Sequence, residues 1–256
     1  MHFEQITTLK RVLGLLKQIS RESVYIHTKN SKNNLHFSTI NKERTVLLDL
    51  MLLKEETITH SSKEKKQKFS LRTGKLFYDI MDAVENGSIV NLEFEDESLS
   101  VKVIYEDIKF KSILSSYLDG FIGFPPSNEK IVFNISGEKM FHGLNLLSKF
   151  KNDLHVRVES NELSIESLSE LGSTKLIIPS KTSFEENKTL SNNSVYDYEI
   201  IKPLINASKL SNNIEMNFQW NEKIKDNVIV AKCNLKDYNG YAKYLFTPKG
   251  VLNGIS

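Results

Sequence analysis

The side chains of this sequence that could do acid, base, nucleophilic or metal chemistry are few and scattered. Six histidines are present, His2, His27, His36, His60, His142 and His155. None has the short spacing, such as two imidazoles one helical turn apart around a glutamate, that puts a pair on one metal ion. No glycine-rich phosphate loop occurs, and no serine has a nucleophile's local signature. Cys233 is the single cysteine, which excludes an internal disulfide and a cysteine metal cluster and suits a reducing compartment. Its setting, NVIVAKCN, predicts a packed strand residue. His27, His36 and His155 fall in strand-like runs and are expected at the surface or half-buried. Asp79 and Asp82 share one side of a helical pattern without any further ligand, so they read as solvated carboxylates rather than a metal pair. The expectation is a protein with no catalytic residue, no metal and no cofactor.

What the chain does offer is patterned charge. Lys10, Gly14, Lys17 and Arg21 recur at helical spacing, opposite the apolar positions Leu9, Val12, Leu13, Leu16 and Ile19. Three more stripes follow the same logic: Arg72, Lys75, Asp79 and Asp82; Glu138, His142, Asn145 and Lys149; Glu199, Lys202, Asn206 and Lys209. Their formal charges are +3, 0, 0 and +1, whereas the whole chain carries +2, which leaves the remaining surface net acidic. Basic helix faces gathered on one surface would hold duplex DNA through its phosphates, without choosing a sequence. The lysine run Lys63, Lys65, Lys66 and Lys68 reads as a solvated loop.

The elements that must position these faces come in a repeated order. A helix over ITTLKRVLGLLKQIS precedes the strands ESVYIHTK, NNLHFSTI and RTVLLDLMLL; a lysine-rich break, a helical RTGKLFYDIMDAV with Leu76, Phe77, Ile80 and Val84 on one side, and three further strands follow. The second half repeats this. EKIVFNI leads into a helix with Met140, Leu144 and Leu147 aligned, then three strands, a polar loop, a helical YEIIKPLINAS and three last strands. Pro203 is expected to kink or delay the fourth helix, because it lacks a backbone donor. This is an internal duplication in an α+β protein, with domains 1–117 and 128–256 and a connector 118–127. The connector, within SYLDGFIGFPP, carries Leu118, Phe121, Ile122 and Phe124, which cost free energy unless they pack on something. No apolar run reaches the roughly 18 residues of a membrane span, and the N-terminus lacks a signal peptide's layout, so an intracellular protein is expected.

Six segments in this order, TLKRVLGLLK, RTVLLDL, LDGFIGFPP, SIESLSELGSTKLII, LINASKLS and KYLFTPKG, resemble the proliferating cell nuclear antigen (PCNA) family of DNA sliding clamps of archaea, eukaryotes and some viruses. The resemblance implies the DNA clamp fold, in which each protomer has two similar domains, each with two helices packed on antiparallel sheets. Three protomers close a ring around double-stranded DNA, without chemistry of their own. It implies loading by a clamp loader and tethering of DNA polymerase, flap nuclease and ligase through short peptide motifs. Its DNA-facing positions here would be Lys10, Arg11, Lys17, Arg21, Arg72, Lys75, Lys149, Lys202 and Lys209. The partner pocket would be lined by Ile40, Thr45, Ile122, Phe124, Pro125, Val230, Leu245 and Pro248. Ring closure would pair the edge strand bearing Ile108, Phe110 and Ile113 with the one bearing Lys175 and Ile177. The chain departs from the family at Asp79, Asp82, His142, Asn145 and Asn206, which stand where clamps carry basic residues. That leaves open a checkpoint clamp subunit, a heterotrimer or a specialised viral relative. Location would follow source: the nucleus in a eukaryote, the cytoplasm and nucleoid in an archaeon, the host cell for a virus.

Overall fold

Six apolar residues of the first helix, Ile6, Leu9, Val12, Leu13, Leu15 and Leu16, are buried almost completely, as its spacing predicts. The computed structural model describes residues 2–3, 6–28, 34–52, 70–95, 98–115, 124, 130–159, 162–170, 172–179, 193–221, 226–236 and 240–250. They divide into two units, the first formed by 1–39, 49–122 and 237–240 and the second by 40–48, 123–236 and 241–256.

The first unit contains β1 (His2–Phe3), α1 (Ile6–Ile19), β2 (Ser23–Thr28), β3 (Leu35–Ile40), β4 (Val46–Leu52), β5 (Ser70–Gly74), α2 (Lys75–Ala83), β6 (Ile89–Glu95), β7 (Ser98–Tyr105) and β8 (Ile108–Ser115), although residues 40–48 belong to the second unit. Its strands are ordered β1-β6-β7-β8 and β5-β2-β3-β4. The second unit contains β9 (Lys130–Ser136), α3 (Gly137–Leu147), β10 (Leu154–Glu159), β11 (Glu162–Ser169), β12 (Gly172–Pro179), β13 (Asn193–Tyr196), α4 (Tyr198–Lys209), β14 (Ser211–Asn221), β15 (Asp226–Leu235) and β16 (Gly240–Phe246). Its orders are β9-β14-β15-β16 and β13-β10-β11-β12, so the duplication extends from element order to strand pairing.

Strand alternation sets each core. In the first unit Ile26 lies opposite Phe37, and the Phe37 ring stacks on Phe77 of α2 at 6.1 Å between centroids. In the second unit Phe133, Met216, Ala231 and Tyr244 form one row across four strands, with Phe218, Ile229 and Phe246 in the next. All are buried, and burial of each large apolar side chain contributes about 1.5–3 kcal/mol. Among the described residues, α3 and α4 pack on each other and on β14.

Five expectations are corrected. The segment before α2 is a strand, so Arg72 lies on β5 and not on the helical stripe with Lys75. The polar loop before α4 likewise ends in β13. These two strands are four or five residues long and polar, and pairing with β2 and β10 specifies them rather than their own pattern. Leu76 is exposed, while Tyr78 and Met81 join Phe77 in the core, so the buried face of α2 is centred about one residue from the predicted one. Lys149 and Arg21 lie just beyond the ends of α3 and α1. Finally, Pro203 does not delay α4, which starts five residues earlier at Tyr198, capped by Asp197 accepting from Glu199 N at 2.8 Å.

Candidate DNA-facing and partner-binding surfaces

In α1 the two central lysines are already engaged. Lys10 Nζ donates to the Asp82 carbonyl at 3.0 Å and also to the Val84 carbonyl, both at the C-terminal end of α2. That end has no basic residue of its own in its last turn, so Lys10 satisfies orphan carbonyls and complements the helix dipole. Lys17 pairs with the Asp82 carboxylate and sits 5.5 Å from the Tyr78 ring centroid. The α1 stripe is thus partly neutralised from α2, which its own sequence, free of acidic residues, did not reveal. Arg11, Arg21, Lys75, Lys149, Lys202 and Lys209 are exposed. Lys202 is tied to Glu199 at 3.3 Å, a half-exposed pair of small energetic weight. Arg72 pairs with Tyr25 and lies over its ring at 5.7 Å. Since Ile26 and Phe37 face α2, Tyr25 and Arg72 project from the opposite face of that sheet.

The carried-over pocket positions can be followed within the second unit. Val230 lies directly opposite Leu245, and Lys232 opposite Lys243, all on the sheet face away from the Tyr244 and Phe246 row. Phe124 lies on that face, its ring centroid 4.3 Å from the Lys243 ammonium. A cation over an aromatic face is worth about 0.5–1 kcal/mol at a surface and helps hold Phe124 against β16. Beyond Leu245 the Thr247 N–H donates to the Thr45 carbonyl at 3.0 Å, which brings Thr45 next to Pro248. The turn before Thr45 is shaped by Asn41, whose side-chain oxygen accepts from the N–H groups of Thr45 and Val46, both at 2.8 Å. Ile40 leads into this turn half-buried; Val230, Leu245 and Pro248 are buried. Ile122 and Pro125 lie outside the described residues. Lys243 and Asn41 were missed at the sequence level, although an Asn five residues before an apolar strand, in NKERTV, is a turn signal.

The edge-strand residues take the ends of their sheets. β8 pairs only with β7 and β12 only with β11 among the described strands. Ile108, Phe110 and Ile113 are 68%, 55% and 58% exposed and Ile177 is 49%, values that leave about half or more of each apolar residue in water. Lys175, opposite Glu166, is exposed too.

Other reactive groups are placed as packing or polar residues. Cys233 is fully buried, and burial pushes its thiol up to about 12, where it stays protonated and inert at neutral pH. His142 is exposed and within 4.0 Å of Glu138. His155 is half-buried, but His27 and His36 are buried: they lie directly opposite on β2 and β3, and Asp49 of β4 completes a closed polar group. No helix among the described residues is long and apolar enough to cross a membrane.

Two α-helices per unit, four-stranded antiparallel sheets repeated in the same order, and open terminal strands define the PCNA-type DNA clamp fold. A solved structure similar to this chain is the PCNA2–PCNA3 complex of Sulfolobus tokodaii: TM-score 0.69, 14% identity, covering 97% of this chain and 98% of that one. No family model and no curated protein matches the sequence.

Proposed function

We propose that the chain is a DNA sliding clamp subunit, one protomer of a ring that encircles duplex DNA and tethers replication and repair enzymes, with no catalysis of its own. The observation that carries this reading is the likeness to a clamp subunit over 97% of the chain, in a protein whose β8 and β12 end their sheets with apolar residues in water. An edge strand left open is a template for another chain, and head-to-tail pairing of β8 with the next protomer's β12 would satisfy both. DNA contact would come from Arg11, Arg21, Lys75, Lys149, Lys202 and Lys209, in a sequence-independent way. Ring closure makes such contact effective even when weak, because a threaded duplex cannot diffuse away sideways. A clamp loader would open the ring. Polymerase, flap nuclease and ligase would dock short peptides beside Phe124, Val230, Leu245 and Pro248. The deciding experiment is a polymerase processivity assay with loader on primed circular DNA; product length unaffected by the chain would overturn the proposal.

Phe124→Ala is expected to lower the affinity of a clamp-binding peptide at least tenfold, measured by fluorescence anisotropy, while the sedimentation profile stays unchanged. Unaltered affinity would remove Phe124 from the site.

A second reading, a subunit of a mixed or checkpoint-type ring, is favoured by the engagement of Lys10 and Lys17 with α2, which weakens the DNA-facing charge. Asp82→Asn would release Lys17 to reach a phosphate. We expect the slope of log affinity against log salt for duplex DNA to steepen by about one per protomer. A slope that does not move would place Lys17 away from DNA.

A further inference from the structure

The group formed by His27, His36 and Asp49 is buried and lies outside the positions proposed above to hold DNA or partners. His27 on β2 and His36 on β3 occupy one cross-strand position, their rings stacked with centroids 4.9 Å apart. His36 Nδ1 lies 3.1 and 3.2 Å from the two Asp49 oxygens, and Ser38 Oγ donates to Asp49 Oδ1 at 3.1 Å. All three potential ligand atoms lie within 4.8 Å of one another. They sit on the sheet face opposite the one Phe37 presents to α2.

We propose that His27, His36 and Asp49 form a structural site for a divalent transition metal, zinc being the ion that suits two imidazoles and one carboxylate. The geometry is close to what that ion needs. Two ligands held at about 2.0–2.2 Å in tetrahedral directions are separated by roughly 3.3 Å, close to the present separation of His36 Nδ1 from Asp49. A metal ion would therefore fit between His36 Nδ1 and Asp49 without moving either strand, any proton on that nitrogen leaving to solvent. His27 closes the third position by a small ring shift toward them, and a solvent molecule completes the fourth. The Asp49 carboxylate offsets one of the ion's two charges, which lowers the cost of holding a cation in this buried place. The Ser38 hydroxyl holds the carboxylate in orientation, as groups behind a metal ligand commonly do. Bound there, the ion would staple three adjacent strands, β2, β3 and β4. It would thereby link the stability of the first unit to the metal supply.

The test uses the full chain, stripped with a chelator and titrated with Zn²⁺ or Co²⁺ alone. We expect stoichiometric uptake, a rise in melting temperature with added Zn²⁺, and the strong visible bands of four-coordinate Co²⁺ bound by nitrogen and oxygen. Ser38→Ala should weaken Zn²⁺ binding roughly 10–100-fold, and His36→Gln should abolish it. Losing either member of the His36–Asp49 pair destabilises the sheet by itself, so the unaltered chain decides the matter. If its melting temperature does not respond to Zn²⁺, or if Co²⁺ gives only the pale spectrum of the hydrated ion, the proposal is overturned and the group is a hydrogen-bonded His36–Asp49 pair with the His27 ring stacked on it.

Discussion

Gly137→Ala is expected to lower the free energy of unfolding by at least ~3 kcal/mol, the upper range for overpacking a tight site. Gly137 is the first residue of α3, and its missing side chain is what lets this turn rest on the junction between α4 and β14. A Cβ there would come within 2.0 Å of the Ser211 carbonyl oxygen and 2.6 Å of the Ser208 carbonyl oxygen. Both are backbone atoms, and Ser208 and Ser211 are themselves fixed by hydroxyls donating to the Leu204 and Ala207 carbonyls, each at 2.6 Å. Neither can retreat without disturbing the end of α4. The same substitution elsewhere should behave differently. At Gly143 the added methyl would meet only the side-chain end of Leu176, which can turn away. The gain of up to ~1 kcal/mol in helix propensity then leaves the net change near zero. At Gly14, within α1, nothing lies within 4 Å, and Ala should stabilise by ~0.5–1 kcal/mol. Urea midpoints at constant m-value would rank the three variants. A Gly137→Ala protein as stable as Gly14→Ala would show that α3 does not seat on that backbone as described.

The contrast among these glycines shows where reading a sequence reaches its end. Apolar spacing placed all four helices and most strands, because Leu9, Met140 or Leu204 must face inward whatever they meet. The duplication was legible for the same reason, since periodicity depends on position along the chain. What was not legible is set by cross-strand and cross-helix register. β5 and β13 are strands only because β2 and β10 offer them partners. The neutralisation of Lys17 depends on Asp82, 65 residues away. His27 and His36 sit in adjacent strands nine residues apart, outside the short ligand spacings a sequence motif offers, and the β2–β3 register alone puts them face to face. The connector's apolar residues announced a need for cover, whereas the pairing of Phe124 with Lys243 could come only from the folded chain. Clusters across strands are thus the class of site for which a linear spacing rule has least power.

A single aspartate on either open edge is expected to take the assembly apart while leaving the chain folded. Phe110 on β8 and Ile177 on β12 are 55% and 49% exposed, so Phe110→Asp or Ile177→Asp should change the protomer's own stability by no more than about 0.5 kcal/mol. In a ring built by pairing β8 with the neighbouring β12, each would forfeit ~1.5–3 kcal/mol of apolar burial and force a carboxylate into the junction. The combined cost exceeds ~3 kcal/mol, more than a hundredfold in association at every junction. Sedimentation velocity should therefore find the unaltered chain as a ring and either variant as a single protomer. Mixing the two variants gives a sharper result. The Phe110→Asp chain keeps an intact β12 and the Ile177→Asp chain an intact β8, so a head-to-tail arrangement allows one sound junction between them and no further growth. One-to-one pairs that never close are the expected product. If β8 instead paired with β8 of a second copy, the Ile177→Asp chain would associate with itself and mixing would add nothing. If both variants sediment as the unaltered ring does, neither edge is part of the junction. If the unaltered chain is itself a lone protomer that assembles only with other clamp subunits, the mixed-ring reading prevails, and the same two substitutions should then each block one of its two neighbours.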